Sequence, residues 1–196
     1  MSLPHILLGM LDKPASGYDL KHRFEQQLSH YWSADLAQIY PTLKRMRDRG
    51  LLTARREPST KGPPKNVYAR TEAGQRELEA WLTQGPDVHA DRLGWLAQVG
   101  FLDTLEAPER RAFLERLRDE FIRHREELVG IEAHWRDEDP RFPDALPERE
   151  LFAHMTLRLG LEKYAAIIAW CEECLERLER RRKVAADPPA SKAAER

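Results

Sequence analysis

The chain has 196 residues, 41% of them hydrophobic and 33% charged, which is the composition of an ordinary globular protein with one or two domains. With only 2 cysteines it is not a disulfide scaffold, and it is neither collagen-like nor disordered in bulk. The longest apolar runs fall well short of the ~20 residues that span a membrane, and the first residues lack the basic start of a secretion signal. We therefore expect a cytoplasmic protein without a membrane partner.

Charge is unevenly distributed along the chain, although the net charge is only −1. Residues 1–85 contain 13 Lys and Arg against 9 Asp and Glu, a net +4, whereas residues 86–196 contain 19 against 24, a net −5. The excess of cations is concentrated between residues 35 and 65, where eight cations accompany three acids. This segment predicts a polyanionic partner, with an ordinary solvated surface as the alternative interpretation.

Helical periodicity predicts two helices in the first part of the chain. The first covers residues 3–11 and stops before Pro14, because the residue preceding a proline is disfavoured in the helical conformation. Ser16 is the predicted N-cap of the second helix, with Asp19 three residues later in the capping-box position. The apolar stripe of this second helix consists of Leu20, Phe24, Leu28 and Tyr31.

A third helix is predicted to open at Ser33 or Asp35 and to end at Gly50, a residue type favoured just after a helix end. Pro41 lies within this pattern, so the helix either begins late enough to place Pro41 near its first turn or is kinked there. The predicted inward face of this helix consists of Leu36, Ile39, Leu43 and Met46.

The pattern changes from helical to extended after the third helix. Residues 51–57 and 66–70 are two predicted short strands, and residues 58–65, rich in Pro and Lys, form the turn of a hairpin with a basic tip. Thr71 is the predicted cap of a fourth helix, and Gly85 marks the end of the first domain.

Residues 86–184 are predicted to be helical throughout. A helix over residues 91–105 precedes a long helix that begins at Pro108, and residues 140–147 separate it from a last helix. Both long helices have apolar seams with heptad-like spacing, which predict an antiparallel helical pair and a domain that joins two protomers. The predicted dimer residues are Leu157, Leu161, Tyr164, Ile168, Cys171, Leu175 and Leu178. Residues 185–196 contain too few apolar residues to fold and are predicted to be disordered.

The predicted fold class is mainly α, with an all-helical C-terminal dimerisation domain after an N-terminal winged helix-turn-helix. The winged helix-turn-helix domain is predicted in residues 1–85 and consists of three helices, a hairpin wing and a following helix. In this fold the third helix enters the DNA major groove. On a helical wheel Gln38, Arg45 and Arg49 point outward with Thr42 beside them, and Gln38, Thr42 and Arg45 are suited to contact base edges. The cations suited to phosphate contacts are Lys44, Arg55, Lys61 and Lys65.

Several segments of the first domain carry a resemblance to a known family. They are Ile6-Leu7-Leu8-Gly9-Met10-Leu11, Ser16-Gly17-Tyr18-Asp19-Leu20, Ile39-Tyr40-Pro41-Thr42-Leu43-Lys44-Arg45-Met46 with Gly50-Leu51-Leu52, and Tyr68-Ala69-Arg70-Thr71-Glu72-Ala73-Gly74. At this spacing they resemble the PadR family of bacterial transcriptional regulators. The resemblance covers most of the first domain, and the second domain is similar to the larger members only in length and helical pattern.

The resemblance implies a dimeric winged-helix repressor or activator whose recognition helix carries Tyr40, Thr42 and Lys44 toward DNA. We therefore predict a sequence-specific regulator of transcription, most simply a repressor, that binds a pseudo-palindromic operator in duplex DNA as a homodimer. The alternative is an adaptor whose basic winged-helix face docks an acidic protein partner. The sequence contains no recognisable phosphate-binding loop, nucleophile motif or set of metal ligands. It therefore gives no reason to expect an enzyme, a cofactor or a metal site.

Two further groups of residues in the second domain have a structural and a functional interpretation. Cys171 and Cys174 form a Cys-x-x-Cys pair in mid-helix without partner ligands, which favours a structural role over a redox or zinc site. Trp95, Trp135 and Trp170 occupy helical positions that are typical of core residues, and the alternative is a pocket that binds a small planar aromatic effector.

Overall fold

The computed structural model describes residues 3–28, 30–58, 64–86, 88 and 93–186 of the chain. The chain divides into two compact units, Met1–Ala90 and Asp91–Arg196, whereas the sequence pattern places the domain end at Gly85. Both units are mainly helical, and the first also contains a small sheet. None of the described helices is both long enough and apolar enough to cross a membrane.

Three helices form the first part of unit 1, and their caps explain where they begin. Helix α1 covers Leu3–Met10, α2 covers Gly17–Gln27 and α3 covers Leu36–Asp48. The predicted capping box of Ser16 and Asp19 is confirmed at the start of α2. At the start of α3, Asp35 is the N-cap and forms a second capping box with Gln38. These reciprocal bonds satisfy backbone N–H groups that a helix end leaves without partners.

Unit 1 also contains a three-stranded antiparallel sheet, which includes a strand before α2 that the sequence pattern did not predict. Strands β2 (Leu52–Glu57) and β3 (Lys65–Arg70) form the predicted hairpin, and β1 (Ala15–Ser16) pairs with the other edge of β3. Two residues are too few to show the alternation that identifies a strand in sequence. Helix α4 (Glu72–Thr83) then begins at Thr71, the predicted cap, whose hydroxyl accepts a hydrogen bond from the Gly74 amide.

The core of unit 1 is one apolar cluster between the helices and the base of the sheet. Its fully buried side chains are Leu7, Leu8, Leu20, Phe24, Ile39, Leu43 and Met46. The prediction that Tyr31 belongs to the stripe of α2 is wrong, because α2 ends at Gln27 and the Tyr31 side chain is exposed. Helix α3 begins at Leu36, so Pro41 lies in its second turn, on the exposed side.

Unit 2 consists of one short helix, a single 3-10 turn and two long helices in its described residues. The single helix predicted over residues 91–105 is replaced by α5 (Gly94–Val99) and the turn Leu102–Thr104. Helix α6 covers Ala107–Glu138, and Pro108 lies in its first turn as predicted. Helix α7 covers Glu148–Ala186 and thus includes two residues of the predicted tail, whose remaining ten residues lie outside the described part of the chain.

The two long helices pack against each other, which confirms the predicted helical pair. Leu128 of α6 packs in one buried cluster with Leu157, Leu161 and Tyr164 of α7. Cys171 and Leu175, further along the same seam, are also buried within the single chain. Five residues of the predicted dimer seam are therefore buried within one protomer, whereas Ile168 and Leu178 are half-buried, and the role of this seam in joining two protomers stays a prediction.

Candidate nucleic-acid interface

Helix α3 has one buried face and one polar, basic face. Ile39, Leu43 and Met46 anchor it in the core of unit 1, where α1 and α2 both pack against it. The opposite side is exposed to solvent and includes Gln38, Tyr40, Lys44, Arg45 and Arg49. An exposed helix face with amide and guanidinium groups has the chemistry that reads base edges in a major groove.

Thr42 differs from the other α3 residues that were predicted to contact DNA. Its side chain is only 2% exposed, so the expectation that it lies beside the outward face and touches a base edge is wrong. Its hydroxyl oxygen instead accepts a hydrogen bond of 3.0 Å from the Nη2 group of Arg45. On a helical wheel Thr42 lies at the edge of the apolar stripe, so periodicity alone does not determine whether it is buried or exposed. The packing of the neighbouring helices decides this.

The exposed cations of α3 differ in whether an acid already neutralises them. Nη2 of Arg49 lies 3.5 Å from a carboxylate oxygen of Glu77 on α4. Lys44 and Arg45 have no carboxylate partner among the residues that the structure describes. These two cations can meet a phosphate or a base without breaking an ion pair. Sequence reasoning missed Glu77, because the periodicity of α4 does not reveal which residue lies opposite.

Two cations of the wing that were predicted to contact phosphates already form ion pairs with acidic side chains. Arg55 bonds Glu57 on the same strand, and Nζ of Lys65 lies 3.3 Å from Oδ2 of Asp19 at the start of α2. Lys61, at the predicted basic tip, lies outside the described residues. Arg56 on β2 is exposed and has no carboxylate partner in the described part of the chain, which makes it a further candidate.

The Asp19 carboxylate joins the wing to the start of α2. It accepts hydrogen bonds from the Ser16 hydroxyl at 2.7 Å and from the Ser16 amide at 3.0 Å, in addition to the contact with Lys65. Burial raises the pKa of Asp19, but the bonds from Ser16 and the ammonium of Lys65 outweigh it, and the pKa lies below its ordinary value of 3.8. Asp19 is therefore ionised at neutral pH and holds Lys65 at the start of β3.

Tyr40 depends on a glycine of the neighbouring helix for its place on the surface. A Cβ atom at Gly17 would lie 2.5 Å from Cε1 of the Tyr40 ring. The ring therefore lies directly over the first turn of α2, next to the exposed Tyr18. This close approach explains why a glycine stands at position 17, because a larger residue would occupy the space of the Tyr40 ring.

An exposed apolar stripe lies on α7, away from the seam that faces α6. Phe152, Met155 and Leu159 are spaced by three and four residues and are more than half exposed. Val129 on α6 is also exposed. Exposed apolar patches are typical of surfaces that bind another molecule.

The three tryptophans for which an effector pocket was the alternative interpretation do not converge. Trp95 lies 5.9 Å from Trp170 and 5.4 Å from Phe121, measured between ring centroids. Trp135 lies beside His154, fourteen residues beyond Phe121 on α6, which corresponds to about 21 Å along a helix. The alternative of one pocket lined by all three tryptophans is therefore wrong, because of the three only Trp95 and Trp170 contact each other in the described part of the chain.

The cysteine pair has the environment of a packed core. Cys171 is fully buried, and burial, with Cys174 nearby, raises the pKa of its thiol to about 11. A thiol with so high a pKa is a weak nucleophile at neutral pH. Within the described residues, no group of three or more His, Cys, Asp or Glu side chains is arranged to hold a metal ion.

Both units are similar to known families. Residues 6–80 match the model of the family described as Transcriptional regulator PadR-like family, and residues 92–179 match the model described as Virulence activator alpha C-term. The negative transcriptional regulator PadR of Bacillus subtilis is 25% identical over 183 residues, which cover 91% of this chain and 98% of that protein.

Solved structures show a similar fold over nearly the whole chain. The crystal structure of Bacillus subtilis PadR in complex with operator DNA matches with a TM-score of 0.75 and 25% sequence identity, covering 91% of this chain and 99% of that one. The structure of the Vibrio cholerae virulence activator AphA matches with a TM-score of 0.72 and 28% identity, covering 92% and 99%.

Proposed function

Because the chain belongs to the PadR-like family of transcriptional regulators, we propose that it recognises a specific duplex DNA sequence through α3. In this proposal α3 enters the major groove, where Gln38 and Arg45 contact base edges. Lys44 and the wing residues Arg55, Lys61 and Lys65 contact phosphates, which sets affinity and register rather than sequence preference. A protein that acts on the chromosome in this way works in the cytoplasm of a bacterium.

The observation that carries the proposal is the two-sided character of α3. Its apolar side is held by a fully buried core, so the exposed side is presented on a rigid element. Two cations on that side, Lys44 and Arg45, lack a carboxylate partner among the described residues, and they are one residue apart. Rigid presentation of cations that no carboxylate neutralises reduces the conformational cost of binding.

We extend the proposal to a homodimer on a pseudo-palindromic operator. A second copy of the chain is the occupant we assign to the exposed stripe of Phe152, Met155 and Leu159 on α7. A stripe that is displayed on a helix surface can pair with its own copy about a two-fold axis, which is the commonest symmetry of soluble oligomers. Two α3 helices spaced by about one DNA turn, ~34 Å, then meet successive major grooves.

Repression is the direction of control that we propose. The relative from Bacillus subtilis that spans nearly the same length is named a negative transcriptional regulator, whereas AphA is named a virulence activator. Repression needs nothing beyond occupancy of a promoter, and binding through α3 and the wing supplies that. In vitro transcription from a promoter that overlaps the selected operator measures the direction.

The surface that we propose for a planar aromatic effector is the cluster around Trp95 and Trp170. Both rings belong to unit 2, and Trp95 contacts both Trp170 and Phe121, so an aromatic compound bound there would change tryptophan fluorescence. Titration of the protein with a broad panel of planar aromatic compounds tests this. Unchanged fluorescence across the panel would remove the effector from the proposal.

Selection of bound duplexes from a random pool at physiological salt tests the proposed function. We expect a motif with two-fold symmetry, which establishes sequence preference and two copies of the chain together. An adaptor with a basic docking face would instead enrich no sequence and would show saturable binding only to a protein. Failure to enrich a motif would therefore reject the proposal in favour of the adaptor.

A further inference from the structure

Arg45 is bound to a side chain that DNA cannot reach. The donor is Nη2 of Arg45 and the acceptor is Oγ1 of Thr42, three residues earlier on α3, at 3.0 Å. The Thr42 side chain is buried in the core of unit 1, whereas Arg45 is exposed. The bond thus joins a fixed hydroxyl to an otherwise mobile guanidinium.

We infer that Thr42 is a positioning residue that sets the direction of the Arg45 guanidinium and thereby the base preference of α3. This inference rests on the proposed function. It replaces the direct base contact expected of Thr42 with an indirect role through Arg45. A bidentate contact with guanine requires the guanidinium plane to meet the O6 and N7 edge at a defined angle. A long arginine side chain without an anchor samples many rotamers, and each wrong rotamer weakens that contact.

The geometry leaves enough donors for the base. A guanidinium has five N–H groups, and the bond to Thr42 uses one of them. The remaining four include adjacent pairs that can bond a guanine edge in the bidentate manner. Arg49 offers a contrast on the same helix, because its anchor is the exposed carboxylate of Glu77, which an incoming phosphate can replace.

A purely structural role for Thr42 makes a different prediction about one substitution. Valine has nearly the same shape as threonine but lacks the hydroxyl, so Thr42→Val fills the same space and removes the acceptor of the Arg45 bond. A core-filling residue would tolerate the change without altering base preference. A positioning residue would lose its effect on Arg45 while the fold stays intact.

The test measures binding of Thr42→Val, Thr42→Ser and Arg45→Ala to the selected operator and to single base-pair variants of each half-site. We expect Thr42→Val to reduce discrimination by about tenfold at the base pair that Arg45→Ala relaxes, and at no other. Thr42→Ser should retain the discrimination, since it keeps the hydroxyl. In the double variant Thr42→Val with Arg45→Ala, the valine should cause no further loss.

Three results would overturn the inference. They are wild-type discrimination in Thr42→Val, an equal loss on every duplex, and a valine effect that persists without Arg45. A measurement without DNA separates this inference from the proposed function. Urea unfolding of the same single and double variants should show a coupling between Thr42 and Arg45, and its absence rejects the bond whether or not the protein selects an operator.

Discussion

Nη2 of Arg49, at the C-terminal end of α3, lies 3.5 Å from a carboxylate oxygen of Glu77 on α4. The same carboxylate lies 3.8 Å from Nε2 of His5 on α1, so Glu77 connects three helices of unit 1. An acid at this place competes with any phosphate that Arg49 would meet. We therefore expect Glu77 to lower DNA affinity through one cation, while it ties the end of α3 to the rest of unit 1.

The substitution Glu77→Gln should strengthen DNA binding. Loss of the carboxylate frees Arg49 for a phosphate, and an exposed ion pair of this kind is worth at most about 1 kcal/mol, so we expect a gain of about two- to fivefold. One more phosphate contact should also steepen the slope of log K against log salt by about one. Fluorescence anisotropy with a labelled duplex at several salt concentrations measures both.

Glu79→Gln is the matched control for this change. Glu79 lies on the same helix and its substitution alters the net charge equally, but its carboxylate accepts a bond from Gln75 instead of an arginine. A general electrostatic effect would give the two variants equal gains in affinity. An equal gain would therefore contradict the specific role of the Arg49 contact.

Leu159→Glu should convert the proposed dimer into a monomer. Leu159 is 70% exposed on α7, so a glutamate there leaves the fold of one chain intact but places a charge in the proposed interface. Loss of pairing should also reduce operator affinity by at least tenfold, because each half-site then binds separately. Light scattering and operator binding measure the two effects.

Leu82→Glu provides the comparison for the dimer prediction. Leu82 is 61% exposed on α4, outside the stripe, and its substitution adds the same charge at a similar exposure. We expect this variant to remain dimeric. If Leu159→Glu also remains dimeric, the stripe on α7 is not the surface that joins two copies.

Gly74→Ala should destabilise unit 1 by about 1–3 kcal/mol. A Cβ atom at Gly74 would overlap the backbone carbonyl oxygen of Leu51, and backbone cannot move aside as a flexible side chain can. Gly9→Ala is the control, since nothing lies within 4 Å of its Cβ position and alanine favours a helix by about 0.5–1 kcal/mol. Urea unfolding of both variants measures the difference, and equal stabilities would contradict the close packing at Gly74.

Acid should remove part of the stability through Asp19. Its pKa in the folded protein lies below 3.8, so the unfolded chain binds the proton more readily. This stability is fully present above the ordinary pKa, about 4, and is lost as the pH falls through the lowered value. The Asp19→Asn variant should lose stability at neutral pH and show a smaller decline than the wild type between pH 5 and pH 3, whereas identical declines would show that Asp19 contributes nothing.

The sequence predicted most of the elements around α3 correctly, because these elements depend on local chemistry. The capping box of Ser16 and Asp19, the cap at Thr71 and the hairpin all follow from residues within a few positions of one another. The 3.6-residue period of α3 also placed Lys44 and Arg45 on the exposed side. The strand β1 was missed, since its pairing partner Tyr68 lies far along the chain.

Local sequence pattern thus determined where the helices begin, which face of α3 is apolar and where the cations lie. Only the tertiary structure decided which of these side chains are buried or paired. Thr42 is buried, Arg49 lies beside the carboxylate of Glu77, and Leu157, Leu161 and Tyr164 of α7 pack against α6 of the same chain. The reason is that burial and ion pairing depend on neighbours brought together from distant parts of the chain, and periodicity along one helix holds no information about what packs beside it.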